Sequence, residues 1–332
     1  PYSSPTSLAS HEPVVKWFLD SWLIPGTAIF PIKAHRPGIE NYQQVALTPT
    51  DAFCDFFGNK LERYLGLKDP RIGGVYYDLV FINYNTSRTA GGTFVDAFGR
   101  RIPSQLTTIG LRECLMRTVR ICRKYDKIAW YHGHTVYNPA VMGLGDFWYP
   151  GENYTHSVGR NKWYYTDELP QAVYESELNP HTKGVGVINL PVVSRVDRDL
   201  LTVPEPTLAM IGRMTMNDIV SSGCQCHEPS VAKMWTIRKK YNLDKAEFVR
   251  FTQNDGVESD NDKLAASYFK RPDGACLAVI GNLDSKPQRG RMTFKGYASA
   301  RDVWNNEDVP MKNGTAEIEL DGRMFTVLLL RP

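Results

Sequence analysis

Three short apolar segments, separated by long polar stretches, constrain the fold of this chain most strongly. They read GGVYYDLV at 73–80, KIAWYHGH at 127–134 and GVGVINLPVV at 184–193. Runs of this length that are rich in β-branched and aromatic residues are typical of strands buried on both faces. Between the first two, apolar residues from Leu111 to Cys122 recur at helical spacing. The order of strand, loop, helix and strand predicts a parallel sheet covered by helices.

Long polar loops after buried strands are typical of a (β/α)8 barrel, which carries its active site on such loops. We therefore predict a TIM-type barrel. Only about four or five strands can be recognised before residue 235, whereas a closed barrel needs eight. The first barrel strands are therefore expected to lie upstream, unless short strands escape recognition. The chain opens PYSSPTSLAS, without an initiator Met, and we expect it to be a processed or truncated product.

Helices are predicted at five further places. The pair Pro49-Thr50 supplies a breaker and a cap, and aromatic residues then fall on one face as far as Leu65. The other predicted helices span 11–23, 167–178, 207–221 (as a helix or a strand and loop) and 235–251.

The sequence changes in character from about residue 255. Short β-rich runs follow one another, and the pairs Asp273-Gly274, Asn313-Gly314 and Asp321-Gly322 stand between them as turns. This pattern predicts an antiparallel sandwich of roughly six or seven strands. We therefore predict two domains, a catalytic barrel at 1–252 and an all-β sandwich at 253–332.

Composition excludes several classes of partner. The chain has 332 residues and a net charge of +3, without a long basic run, so we expect no nucleic-acid partner. No apolar stretch approaches the roughly 18 residues of a membrane helix, so we expect no membrane partner. The run Cys224-Gln225-Cys226-His227 lacks a second ligand pair at zinc spacing. We predict buried thiols, no metal and no cofactor.

Acidic, histidine and aromatic residues gather after three consecutive predicted strands or loops. Cleavage of a glycosidic bond needs two carboxyl groups, and barrel enzymes hold them at the carboxyl ends of strands, where aromatic rings can stack on sugars. Asp78, Glu152 and Asp146 are the predicted catalytic residues. The predicted substrate-binding residues are Tyr76, Asn83, Trp130, His132, His134, Trp148, Tyr149 and Asp218.

Five of these residues also have a structural interpretation. Asp78 can cap the loop that follows its strand, and Asp146 or Glu152 can brace its own loop. His134 can be a hydrogen-bonded structural residue. Asp218, beside Asn217 near the last barrel segment, can likewise stabilise structure.

The order of these segments resembles the barrel of glycoside hydrolases related to family 123 and its bacterial relatives. GVYYDL, FVDAFGRRIP, WYHGH, GDFWYPGEN, MNDIVSS and ACLAVIGNL carry the resemblance, which extends from about residue 10 to the end. It implies a glycan substrate, and family members are longer, with an N-terminal β-rich region. The family uses an adjacent Asp-Glu pair for substrate-assisted hydrolysis, whereas Asp167-Glu168 opens a helix here. Related retaining enzymes carry a nucleophile in a Tyr-Val-Asp-like context, which Tyr76-Tyr77-Asp78 resembles.

The resulting hypothesis is a retaining glycosidase acting on an oligo- or polysaccharide. Asp78 is its nucleophile, and Glu152 or Asp146 is its acid/base. The alternatives are a non-catalytic glycan-binding protein and a structural subunit whose upstream portion completes the site. The expected localisation is secreted or periplasmic.

Overall fold

A computed structural model describes residues 2–5, 7–9, 13–32, 42–67, 72–80, 82–87, 93–103, 105–133 and 137–332 of the chain. The chain divides into two compact units. The first comprises Pro1–Tyr149 and Lys183–Gly186, and the second comprises Pro150–Thr182 and Val187–Pro332. In the described part, no helix has both the length and the hydropathy needed to cross a membrane.

The first unit contains eleven described strands and four helices. The strands are β1 (Tyr2–Ser3), β2 (Ser7–Ala9), β3 (Leu23–Ile32), β4 (Tyr42–Leu47), β5 (Gly74–Tyr77), β6 (Tyr84–Asn85), β7 (Phe94–Val95), β8 (Arg101–Ile102), β9 (Gln105–Leu106), β10 (Ile128–His132) and β11 (Phe147–Tyr149). The helices are α1 (Pro13–Trp17), α2 (Leu19–Trp22), α3 (Asp51–Leu65) and α4 (Thr108–Lys124).

A parallel sheet forms the centre of the first unit. β5 pairs in parallel with β1 and with β10, and β10 pairs in parallel with β11. Tyr76 lies opposite Trp130, which in turn lies opposite Phe147. The two predicted strands at 73–80 and 127–134 are thus confirmed with shorter bounds. The first ends early because Leu79 takes a positive φ of 56°, which breaks an extended backbone.

Alternation along the strands gives this sheet one face that packs on helices. Tyr77 and Tyr131 stack with ring centroids 5.8 Å apart, and the Tyr77 hydroxyl lies 3.0 Å from Thr118 Oγ1 on α4. Phe57 of α3 contacts the Tyr77 ring. α3 begins as predicted, because Thr50 Oγ1 accepts a hydrogen bond from Phe53 N. Tyr76 and Trp130 directly precede Tyr77 and Tyr131 in their strands, so their side chains point to the opposite face of the sheet.

The second unit contains a parallel strand pair and a set of helices. Its helices are α5 (Thr155–Arg160), α6 (Tyr164–Asp167), α7 (Gln171–Ser176), α8 (Glu205–Thr215) and α9 (Glu228–Tyr241). β12 (Gly186–Asn189), whose first residue belongs to the first unit, pairs in parallel with β13 (Val220–Ser221).

The helix predicted at 235–251 was wrong in its bounds. Pro229 occupies the first turn of α9, where a proline is tolerated, and Asn242 ends the helix at a φ of 53°. The helix predicted at 167–178 is likewise divided, since Pro170 separates α6 from α7.

Two antiparallel sheets complete the second unit. Their strands are β14 (Glu247–Val249), β15 (Val257–Ser259), β16 (Leu264–Lys270), β17 (Cys276–Asn282), β18 (Gln288–Phe294), β19 (Ser299–Asp302), β20 (Glu307–Val309), β21 (Met311–Lys312), β22 (Thr315–Leu320) and β23 (Phe325–Arg331).

One sheet has the order β14-β16-β17-β23-β19-β20, and the other has the order β15-β18-β22-β21. Buried residues from both sheets, such as Tyr268, Ile280, Phe294 and Ile318, form one core. The two sheets agree with the predicted antiparallel sandwich, but they contain ten strands rather than six or seven, and the first strand begins at Glu247. The closed eight-stranded barrel stays a prediction, since the described parallel strands number four in the first unit and two in the second.

Candidate active site

Asp78 lies at the carboxyl end of β5, where its position is fixed by the backbone that follows. Its Oδ1 accepts a hydrogen bond from Leu79 N at 2.8 Å, and its side chain is 17% exposed. Val80 N then donates to the carbonyl oxygen of His132 at 2.9 Å, which ties the loop to the end of β10. The positive φ of Leu79 is rare for a branched side chain, so this turn is a strained one.

His132 is the last residue of β10, and its ring orientation follows from one hydrogen bond. Nδ1 lies 2.6 Å from the carbonyl oxygen of Tyr149, which can only accept, so Nδ1 carries a hydrogen and donates it. Nε2 then faces Asp78, 3.7 Å from Oδ1. With its side chain only 1% exposed, the imidazole has little freedom to turn. Nε2 is therefore the nitrogen that can exchange a proton beside Asp78.

Aromatic rings cover the sheet face next to this pair. The Tyr76 ring lies 5.8 Å from Trp130, 6.0 Å from Tyr149 and 6.2 Å from the His132 imidazole, measured between centroids. Trp130 and Tyr149 are 4.9 Å apart. The parallel register places all these side chains on one face, and sugar rings stack well on such surfaces. The structure thus brings together Asp78, Tyr76, Trp130, His132 and Tyr149.

Asp146 lies at the wrong edge of the sheet for the role of acid/base. It precedes β11, so it belongs to the edge opposite the strand ends that carry Asp78 and His132. Its carboxylate accepts hydrogen bonds from Arg123 and from Ala129 N. Burial raises its pKa, but these bonds outweigh burial and lower the pKa below its usual value. Asp146 therefore anchors α4 to the sheet, and we withdraw it as a catalytic candidate.

The prediction that Trp148 binds substrate is also corrected. It lies opposite Tyr131 in the register, on the face that packs on helices, and it is 0% exposed. Its indole packs against Tyr137, with centroids 5.1 Å apart. A substrate cannot reach a side chain buried in this way, so Trp148 is a core residue.

Two further predicted residues follow the strand ends. Asn83 N donates a hydrogen bond to Thr107 Oγ1 at 3.0 Å, and the Asn83 carbonyl oxygen accepts one from Thr107 N. Among the described residues, Asn83 Nδ2 is buried without a hydrogen-bond partner. His134 lies outside the described residues.

Glu152 belongs to the second unit and pairs there with a residue that the sequence did not single out. Arg195 Nη1 forms an ion pair with Glu152 Oε1. Gly151, the residue before Glu152, has a φ of 125° and packs closely against the next loop, because a Cβ there would lie 2.2 Å from Leu190 O. Val192, a β-branched residue three positions before Arg195, has a φ of 47°. Arg195 follows the third predicted strand in the sequence, and this position could have identified it as a candidate site residue.

Asp218 is bonded through both of its carboxylate oxygens. Oδ2 lies 2.9 Å from His181 Nε2, and Oδ1 accepts a hydrogen bond from Arg238 Nη2 at 2.9 Å. The hydrogen bond to Asp218 raises the pKa of His181, although burial of the ring opposes this. The geometry favours the structural interpretation of Asp218 that the sequence left open.

Comparison with known proteins finds similarity at the level of fold. No protein-family model and no curated protein matches the sequence. A noncanonic maltogenic α-amylase from Thermotoga neapolitana superposes with a TM-score of 0.57 and 13% identity, covering 100% of this chain and 77% of that one. An α-amylase from Anoxybacillus gives a TM-score of 0.58 and 11% identity, covering 99% of this chain and 75% of that one.

A cyclomaltodextrinase gives a TM-score of 0.57 and 11% identity, covering 99% of this chain, which spans 59% of its length. The chain therefore has a fold similar to that of TIM-barrel amylases with C-terminal β domains. Two of these structures are named as α-amylases and one as a cyclomaltodextrinase, and none is named as a member of family 123.

Proposed function

We propose that the chain is a glycoside hydrolase that cleaves glycosidic bonds in an oligo- or polysaccharide, with Asp78 in its catalytic site. The observation that supports this most is the pairing of Asp78 and His132 at the carboxyl ends of β5 and β10, beside the face formed by Tyr76, Trp130 and Tyr149. Enzymes with this architecture carry their chemistry at that edge. The likeness in fold to α-amylases makes α-linked glucans the first substrates to test. A relation to family 123 rests on sequence resemblance alone.

In this proposal Asp78 is the nucleophile of a retaining reaction and Glu152 is the acid/base. Glu152 lies three residues after the end of β11 in the sequence. With Asp146 withdrawn, Glu152 is the remaining predicted partner for Asp78.

Arg195 imposes a condition on this assignment. A guanidinium beside a carboxylate favours its ionised form, whereas an acid/base must hold a proton when the leaving oxygen departs. Either substrate binding draws Arg195 away from Glu152, or Glu152 is the nucleophile and the Asp78–His132 pair handles the proton.

A comparison of leaving groups distinguishes the two roles. Dinitrophenolate leaves without protonation, so a variant that lacks the acid still forms the glycosyl-enzyme and retains kcat/KM for dinitrophenyl glycosides, whereas kcat/KM for natural substrates falls. Asp78→Asn should abolish both activities, by a factor of about 1,000 or more. Glu152→Gln should retain kcat/KM for the dinitrophenyl glycosides. The reverse result would exchange the two roles.

The test of the function itself is a screen of aryl α- and β-glycosides, including N-acetyl sugars, and of maltooligosaccharides. Asp55→Asn is the matched control, because Asp55 is an exposed carboxylate of the same unit, paired with Arg117 on the helical side. Turnover that survives in Asp78→Asn would overturn the assignment of Asp78.

One observation favours a second candidate, a non-catalytic glycan-binding protein. Asp78 Oδ1 already accepts a backbone hydrogen bond and Glu152 is already paired with Arg195. Under this alternative the aromatic face binds sugar while neither carboxylate reacts. Saturable binding of an oligosaccharide without product from any substrate of the screen would support it. A structural subunit that needs an upstream portion would show neither. Export from the cytoplasm stays a prediction.

A further inference from the structure

A cavity of about 640 Å³ lies within the second unit, between α9 and the pair β12–β13. This volume is within the roughly 300–1,000 Å³ of typical small-molecule sites. Its apolar floor is formed by Ile188 and Val220, which are register partners and so point to the same face. None of its lining residues belongs to the site described above.

Trp235 provides a fixed aromatic surface in this cavity. Its Nε1 donates to the carbonyl oxygen of Ser221 at 2.9 Å, so the indole is held at its edge. The side chain nevertheless remains 48% exposed, which is high for a tryptophan. An indole that is held at one edge while its surface stays open can stack on a flat ring without first losing rotamer freedom.

The charges around the cavity are unbalanced. Asp244, the one acidic residue of its lining, pairs with Arg238, which also pairs with Asp218. Arg238 thus sets one positive charge against two carboxylates, and Asp218 is also bonded by His181 Nε2 at 2.9 Å. Lys239 and Lys245 also line the cavity, and neither forms an ion pair within the described part of the chain. Two cations beside an apolar floor and a tryptophan select for an anion attached to a ring.

We propose that this cavity binds a small ligand that combines a flat apolar ring face with a carboxylate. The ring stacks on Trp235 over the floor of Ile188 and Val220, and the carboxylate is bound by Lys239 and Lys245. Two sources offer this chemistry, a uronic acid unit of an acidic saccharide and an aromatic carboxylate. The site is independent of any activity at Asp78.

Isothermal titration of the complete chain with two probes tests the proposal. The probes are a glucuronate-containing disaccharide and 2-naphthoate, and each has a neutral analogue, a glucose disaccharide and 2-naphthylmethanol. We expect saturable one-site binding of at least one anionic probe, with its neutral analogue weaker by about tenfold. Which anionic probe binds identifies the source. Binding should also weaken as the salt concentration rises.

Two variants and a matched control locate the binding. The double variant Lys239→Gln/Lys245→Gln should weaken the anion by about tenfold, and Trp235→Ala by a similar factor. Lys240→Gln is the control, because Lys240 lies on the same helix over the Tyr241 ring and does not line the cavity. It should bind like the original chain, and thermal melts should show that all variants fold. The absence of saturable binding by either anion, equal binding of the neutral analogues, or an unchanged double variant would overturn the proposal.

Discussion

His132 donates its Nδ1 hydrogen to the carbonyl oxygen of Tyr149 at 2.6 Å, and this bond directs Nε2 toward Asp78. The acceptor is a backbone atom of the neighbouring strand, so the ring orientation is set by the register of β10 and β11. Amide side chains can reproduce the donor at this position but have no nitrogen that accepts a proton.

His132→Asn therefore separates the structural role of the imidazole from its chemical role. We expect the variant to fold, with a loss of about 1–2 kcal/mol in the free energy of unfolding from the altered buried hydrogen bond. Glycosidase turnover should fall by about 100-fold if Nε2 transfers a proton or orients Asp78. Denaturant melts and initial rates on the best substrate of the screen measure the two effects. An unchanged rate would assign His132 to structure alone.

Trp130 and Trp148 differ by their face of the sheet, and truncation should affect them differently. Trp148→Ala removes a fully buried side chain and should cost about 3–5 kcal/mol of stability. Trp130→Ala removes a ring that lies beside Tyr76 and Tyr149 on the opposite face. It should weaken glycan binding by about tenfold with a smaller loss of stability. Melting curves and oligosaccharide titrations distinguish the two, and similar behaviour of both variants would contradict the assignment of faces.

Trp130 and Trp148 also illustrate which structural features can be predicted from the sequence alone. Apolar runs and turn pairs predicted the parallel strands at β5, β10 and β12 and the sandwich, because burial and turn geometry are local properties. Proximity to a strand did not reveal which end of it Asp146 occupies, because that depends on where β11 begins. The pairing of Arg195 with Glu152 depends on two loops meeting, at Gly151 and Leu190, and no periodicity encodes such a contact.

His181 should make stability depend on pH. Its hydrogen bond to Asp218 raises its pKa in the folded chain above the value of a free imidazole, so the folded state holds the proton more tightly. This contribution is fully present below the unfolded pKa of about 6.5 and is lost as the pH rises through the folded value. Chemical denaturation between about pH 5 and 8 should show a decline in stability with rising pH. His181→Gln should flatten that decline, and an equally steep decline in the variant would assign it to other groups.

Gly151 should not tolerate a larger residue, because its backbone conformation and its close neighbours both disfavour a Cβ. At a φ of 125°, an L side chain is strained whatever the space, and a Cβ would lie 2.2 Å from Leu190 O and 2.9 Å from Asn189 Oδ1. Gly151→Ala should therefore cost about 2–4 kcal/mol of stability. It should also disturb the Glu152–Arg195 pair, because Glu152 is the next residue. Gly73→Ala is the matched control, since no heavy atom lies within 4 Å of its added Cβ. Thermal melts of both variants check the prediction. If the Gly151→Ala variant were as stable as the control, the backbone at 151–152 would have to be able to adopt another conformation.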